Sequence, residues 1–214
     1  MGTSIRTLGR VLRIATRRRG SAGYSLVETV FVTGFMGVVT AMAIPMSGNT
    51  LRNFRLTGDV RSLTNTVSLA KMRAASNFDK ARVYVDLNAR TFHVDACQKS
   101  GTPEWVTDGG TIPLSIGVSL GYGSLSAAPP DTQITLAQAQ PCRTTCRTAG
   151  AEIGNTACVV FNSRGIPVDS NNAPTSLSAL YLTDGTAVYG VTVAATGLIQ
   201  LWTSNASTAS WTKQ

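Results

Sequence analysis

The sequence is poor in charge and in the residues that carry most enzyme chemistry. Charged side chains make up 14% of the 214 residues, and His93 is the only histidine. No Gly-x-Ser-x-Gly, P-loop, dinucleotide-binding or His-Glu-x-x-His motif occurs. His93 stands in a strand-like alternation, which favours a structural position over a base or metal ligand. Asp86 and Asp95 lie on adjacent predicted strands. We expect each to be a solvated carboxylate at the sheet edge rather than a member of a catalytic pair. We therefore expect no enzymatic activity, no metal and no cofactor.

Acidic residues are absent from the first 23 positions. The same stretch contains six arginines, Arg6, Arg10, Arg13, Arg17, Arg18 and Arg19. The remainder has thirteen basic and eleven acidic side chains, a net charge of +2 against +8 for the whole chain. The basic charge therefore belongs to an N-terminal leader, which fits a segment kept on the cytoplasmic side of a membrane better than a DNA-binding domain.

Cysteine is absent before Cys97, and the other three are Cys142, Cys146 and Cys158. An even number of cysteines behind an export-like N-terminus predicts disulfides. A zinc site and free thiols are the alternatives, although Cys142-x3-Cys146 is not a standard zinc spacing. Because Cys142 and Cys146 could pair only across a tight turn, we favour links from that region to Cys97 and Cys158. The pairing itself stays open.

One long apolar run stands out between Tyr24 and Ile44, where 21 residues contain a single charge, Glu28. A helix of this length would be about 30 Å long, the thickness of the hydrocarbon core of a bilayer. The denser basic cluster precedes the run, which predicts a single-pass span with the N-terminus in the cytoplasm and the rest of the chain outside.

Glu28 is unexpected in such a run. A carboxylate near the start of a membrane helix costs about 2–3 kcal/mol at most, so it suggests a function and a charged partner. The simpler alternative is that Glu28 only complements the dipole of the first helical turn.

The segment Gly23-Tyr24-Ser25-Leu26-Val27-Glu28, with arginines before it and apolar residues after it, resembles the leader of type IV pilins and type II secretion pseudopilins. The resemblance implies cleavage by a prepilin peptidase between Gly23 and Tyr24 and N-methylation of Tyr24. Glu28 is then the fifth mature residue and Pro45 the twenty-second, the family's assembly glutamate and helix-kinking proline. Tyr24 departs from the commoner phenylalanine or methionine.

An ordinary secretory signal is the rival interpretation. Residues 29–40 would be its hydrophobic region and Ala41-Met42-Ala43 its cleavage site, giving a soluble protein that begins at Ile44. Arg17-Arg18 even suggests a twin-arginine signal. Glu28 and the glycine five residues before it favour the pilin interpretation.

The remainder predicts an α+β fold: a long N-terminal helix, half in the membrane and half packed, against a mainly antiparallel sheet. Apolar residues at three- and four-residue steps predict one helix face, at Leu51, Phe54, Val60, Leu63, Val67, Ala70 and Ala74. Residues 82–87 and 90–95 predict a hairpin through Asn88-Ala89. Further strands are predicted at 112–120, 132–136, 157–162, 178–182, 186–194 and 197–203. The predicted domains are a cleaved leader (1–23), a transmembrane and assembly helix (24–45), and a periplasmic head (46–214) with an insertion at about 97–155.

Residues 63–86, 158–169 and 188–202 resemble minor pilins and pseudopilins that lie near filament tips. The resemblance implies a minor subunit of a type IV pilus or secretion filament, located in the inner membrane before assembly. Its partners would be other pilin subunits, the prepilin peptidase, an inner-membrane assembly platform and membrane lipid. A DNA-binding tip subunit, using Arg143, Arg147 and Arg164 for phosphates, is a weaker alternative because the net charge outside the leader is small.

Overall fold

The computed structural model describes residues 25–99, 104–147, 150–176 and 178–214, without the side chains of residues 43–47 and 49. The chain divides into two compact units between Met46 and Ser47. One helix, α1, runs from Leu26 to Asn77 and contributes residues to both units.

In the second unit, one face of α1 forms the centre of the core. Six side chains on this face are fully buried, at Leu56, Val60, Leu63, Val67, Ala70 and Ala74. Their alternating steps of four and three residues keep them on one side of the helix. The predicted face is therefore confirmed from Val60 onward, whereas Leu51 and Phe54 are exposed and Leu56 is buried in their place.

The helix ends in a Schellman motif. The N–H of Asp79 donates to the carbonyl of Ala74, and the N–H of Phe78 donates to that of Ala75. Phe78 has a φ of 51°, the left-handed conformation that this motif requires. The chain can therefore reverse directly into the first strand.

Twelve strands follow α1 in the part of the chain that the structure describes. They are β1 (Ala81–Asp86), β2 (Thr91–Cys97), β3 (Trp105–Pro113), β4 (Ser119–Leu120), β5 (Cys142–Arg143), β6 (Glu152–Ile153), β7 (Thr156–Phe161), β8 (Pro167–Val168), β9 (Ser178–Thr183), β10 (Ala187–Val193), β11 (Ile199–Asn205) and β12 (Thr208–Lys213). One antiparallel sheet has the order β3-β2-β1-β7-β8, a second has the order β12-β11-β10-β9-β4, and β5 and β6 form a short ribbon.

The buried face of α1 packs against both five-stranded sheets in a single core. The first sheet supplies alternate residues such as Val83, Val85 and Phe161, and the second supplies Leu180 and Val191. A smaller apolar cluster includes Tyr181 of β9 together with insertion residues near 125 and 136. The insertion therefore takes part in the packing of the head.

The predicted α+β class is wrong. Strands dominate the chain beyond α1, and the head is a mostly β domain built on two sheets and a ribbon. The prediction missed β3, where Gly109 and Gly110 interrupt the apolar alternation, and β12, which is polar and largely exposed. The strand predicted at 132–136 does not form, since those residues lie in a loop.

The predicted location is also wrong. Within the described residues, no helix is both long enough and apolar enough to cross a membrane. The single-pass inner-membrane anchor, with its cytoplasmic N-terminus and periplasmic C-terminal domain, is corrected accordingly.

Candidate functional site

The first unit presents a helical segment whose surface is almost entirely apolar. Between Leu26 and Met42, ten large hydrophobic side chains are 49–79% exposed, at Leu26, Val27, Val30, Phe31, Val32, Phe35, Met36, Val38, Val39 and Met42. We call residues 26–42 the apolar segment. They occur on every side of the helix rather than along one stripe, so the segment has no single face to bury.

Threonines in and beside the apolar segment do not make its surface polar. The hydroxyls of Thr29, Thr33 and Thr40 donate to the carbonyls of Ser25, Thr29 and Met36 at 3.3, 2.9 and 2.6 Å. A hydroxyl that bonds to the preceding turn in this way has its hydrogen-bond donor satisfied within the helix. The segment is therefore ready to lie against other apolar surfaces.

Glu28 is the only charged residue of the apolar segment. It lies in the first turn of α1, where a negative charge complements the helix dipole. Its side chain is exposed, and it forms no ion pair with any residue in the part of the chain that the structure describes. Its carboxylate is thus accessible to a partner outside the chain.

Other predicted site residues of the N-terminus are only partly placed. Gly23 and Tyr24, the expected cleavage and methylation positions, lie outside the described residues. Pro45 lies within α1, but its side chain is outside the described set. Cleavage, methylation and an assembly role for Pro45 therefore stay predictions.

All four cysteines form disulfides, as predicted. Cys97 is bonded to Cys146, and Cys142 is bonded to Cys158. Both links join the insertion to the first sheet, which is the arrangement that the sequence favoured. The zinc and free-thiol alternatives are excluded for these cysteines.

A buried ion pair lies beside these disulfides, between Arg82 and Asp95. Their side chains are only 5% and 4% exposed, and the Arg82 Nε donates to the Asp95 Oδ2 at 2.8 Å. Burial lowers the pKa of Arg82, and the charge of Asp95 opposes that shift. The Arg82 guanidinium also donates to the carbonyl of Arg143 and lies 4.3 Å from the centre of a ring of Trp105. The pair therefore ties the insertion to the sheet.

Sequence reasoning missed this pair although the signal was present. A hairpin centred on Asn88-Ala89 places Arg82 directly opposite Asp95, and that register is the one observed. Asp95 was expected to be solvated, but the Thr107 hydroxyl and the His93 Nε2 also contact its Oδ1, at 3.0 and 3.1 Å.

The cluster has the character of a structural site rather than a reactive one. The cavity beside it measures only about 30 Å³, enough for a water molecule but not for an organic substrate. His93 stacks on the Tyr84 ring with centroids 4.9 Å apart. Within the described ranges, no group of three or more His, Cys, Asp or Glu residues could hold a metal ion.

The arginines considered for DNA binding are not assembled into a free basic patch. Arg143 is paired with Glu152 at 2.8 Å, and Arg147 is paired with Asp79 at 2.6 Å. Arg164 lies exposed in a turn and has no ion partner among the residues that the structure describes. Two of the three cations are therefore already compensated within the head, which weakens the DNA alternative.

Comparison with known proteins found no family model, curated protein or solved structure that matches the chain.

Proposed function

We propose that the chain is a subunit of a filament of the type IV pilin or type II secretion pseudopilin kind, assembled through its apolar segment. The observation that carries the proposal is the exposure of ten large hydrophobic side chains on a helical segment, residues 26–42, that contains one charge. A monomer in water rarely exposes a continuous apolar surface of this extent. Association is the process that would cover it.

The all-round distribution of these side chains favours many neighbours over one. A groove on a single partner covers one face of a helix, whereas a bundle of parallel copies covers every face. Complete burial of a Val, Leu, Phe or Met side chain contributes about 1.5–3 kcal/mol. Because the ten side chains are 49–79% exposed, burying what remains of them contributes about 10–20 kcal/mol in total, which offsets the cost of about 4–15 kcal/mol for immobilising a partner.

Assembly also depends on one charged group of the apolar segment, the carboxylate of Glu28. After cleavage behind Gly23, the new amine at Tyr24 on a neighbouring subunit would pair with the Glu28 carboxylate. Each charge compensates the other in an apolar surrounding, where an unpaired charge is strongly unfavourable. The partners implied are other subunits of the same kind and a prepilin peptidase.

The test combines processing with assembly. We expect mass spectrometry of the mature protein to show a chain that begins at Tyr24, and sheared filaments to contain it. Glu28→Gln keeps the shape of the side chain and removes its charge, so it should leave processing intact and lower incorporation into filaments. Glu104→Gln, at an exposed acid of the head, is the matched control and should assemble normally.

Two results would contradict the proposal. A mature chain that begins at Ile44 would lack the apolar segment altogether and would establish the secreted soluble alternative. Equal incorporation of Glu28→Gln and the unmodified protein would remove the role assigned to the carboxylate.

A further inference from the structure

The second unit carries an exposed stripe on α1, on the side away from the core. Residues on this stripe follow three- and four-residue steps, at Leu51, Phe54, Gly58, Arg61, Asn65, Leu69 and Met72. Phe54 and Met72 are 71% and 61% exposed although both are large and apolar. We call this set the back stripe. Nothing in the described head covers it.

Gly58 forms a notch in the back stripe. Glycine in the interior of an exposed helix costs about 1 kcal/mol relative to alanine. No packing among the described residues accounts for it, because a Cβ at Gly58 would meet none of their atoms within 4 Å. Phe54 and Arg61 lie one turn to either side and line an open groove with Thr50, Asn53 and Thr57. Since the distance between two packed helices depends on the side chains at their contact, this notch allows a close approach.

Arg61 supplies an uncompensated positive charge at this groove. It is exposed and has no ion partner among the described residues. Arg52 and Arg55, nearby on α1, are likewise exposed and unpaired in that part of the chain, whereas Asp59 is engaged by the backbone N–H and the hydroxyl of Ser115. The groove therefore has a basic rim.

The apolar segment has the complementary properties. It is apolar on all sides, and its one charge is the carboxylate of Glu28, which forms no ion pair among the described residues. We infer that the groove around Gly58 receives the apolar segment of a second copy of this chain, with Glu28 of that copy paired to Arg61. The inference rests on the proposed function and identifies what one side of the apolar segment contacts.

This contact is compatible with the pairing of Glu28 to an amine. A carboxylate has two oxygens that accept about four hydrogen bonds, so it can hold the amine of one neighbour and the guanidinium of another. Because the groove and the apolar segment are different surfaces, the contact is head-to-tail. Contacts of that type propagate into open filaments when the rotation from one copy to the next does not close a ring.

Cross-linking in the full-length chain tests the contact directly. Phe54→p-benzoylphenylalanine places a photoreactive ring in the groove, and a mixture of 14N- and 15N-labelled chains distinguishes contacts between copies from contacts within one. We expect illumination of assembled filaments to join position 54 to residues 26–42 of a differently labelled chain. Filaments whose cross-links map only to other regions would overturn the inference and leave the proposed function standing. Failure of the unmodified chain to form filaments would instead overturn the proposed function.

Charge removal tests the ion pair separately. Arg61→Gln should lower the amount of assembled protein about tenfold in the unmodified chain. In a chain that already carries Glu28→Gln, the same change should cause little further loss, because its partner is absent. Arg90→Gln, at another exposed arginine without an ion partner in the described chain, should assemble normally. An equal loss from Arg61→Gln with and without Glu28 would refute the pairing.

Steric blocking completes the test. Gly58→Leu should fill the notch and reduce assembly, while urea unfolding should show a head at least as stable as before, because leucine favours the helix. Normal assembly of this variant would contradict close approach at Gly58.

Discussion

Removal of one partner from the buried Arg82–Asp95 pair should destabilise the head strongly. Asp95→Leu leaves the Arg82 guanidinium in a site that is 5% exposed, without its counter-charge. Breaking a buried pair in this way costs about 3–5 kcal/mol. The guanidinium keeps its bond to the Arg143 carbonyl and its contact with the Trp105 ring, interactions that favour its charged form. We therefore expect a loss near the lower end, about 3 kcal/mol.

A double variant distinguishes the net contribution of the ion pair to stability from the cost of leaving one buried charge unpaired. Arg82→Met combined with Asp95→Leu removes both buried charges, and we expect its stability to return to within about 1 kcal/mol of the unmodified chain. The exposed pair between Arg73 and Asp108 is the control, with side chains 46% and 32% exposed. Arg73→Ala should cost less than about 1 kcal/mol.

Urea unfolding of the full-length chain in mild detergent, followed by tryptophan fluorescence, measures these differences. Trp105 lies against Arg82 and should report the loss of its environment. The slope of the unfolding free energy with urea must stay constant for the comparison to hold. The reasoning fails if Asp95→Leu lowers the free energy of unfolding by less than about 1 kcal/mol. It also fails if the double variant loses as much stability as Arg82→Met and Asp95→Leu lose separately, added together.

Three further predictions concern the head. Replacing Cys142 and Cys158 together by serine should lower the free energy of unfolding by about 3 kcal/mol, because the link closes a loop with a sequence separation of 16, and chemical denaturation measures the loss. Gly197→Ala should lower the temperature of thermal unfolding more than Gly185→Ala does. Both glycines have a positive φ, but of the two only Gly197 would bring a Cβ into collision with the turn between β7 and β8. Equal decreases in the unfolding temperature would contradict this reason. Leu63→Ala should cost about 2–5 kcal/mol, since Leu63 is fully buried, and a change below 1 kcal/mol would show that the core closes around the gap.

The sequence alone determined the features whose signal is local. The buried helix face from Val60 to Ala74 follows from the helical period, because one side of a helix must face the core wherever the rest of the chain packs. The β1–β2 hairpin follows from two short alternating runs around a polar turn, although the turn spans residues 87–90 rather than two residues. The disulfides follow from an even number of cysteines behind an export-like N-terminus.

Tertiary structure decided what depends on distant residues. The disulfide pairing depends on where the insertion returns to the first sheet, which brings Cys146 to Cys97 and Cys142 to Cys158. The mostly β character depended on β3, whose residues form a strand because the edge of β2 offers partners for their backbone groups. The period of apolar residues in a segment does not show which strand edge will lie beside it in the folded chain.

Tertiary structure also decided which arginines are paired with an acid. Arg143, Arg147 and Arg61 look alike in the sequence, yet the first two meet acids that folding brings from residues 152 and 79. Arg61 is exposed on α1 and forms no ion pair in the described head. Charge is a property of a residue type, but compensation of charge depends on distances of a few ångströms, and only the folded chain sets those distances.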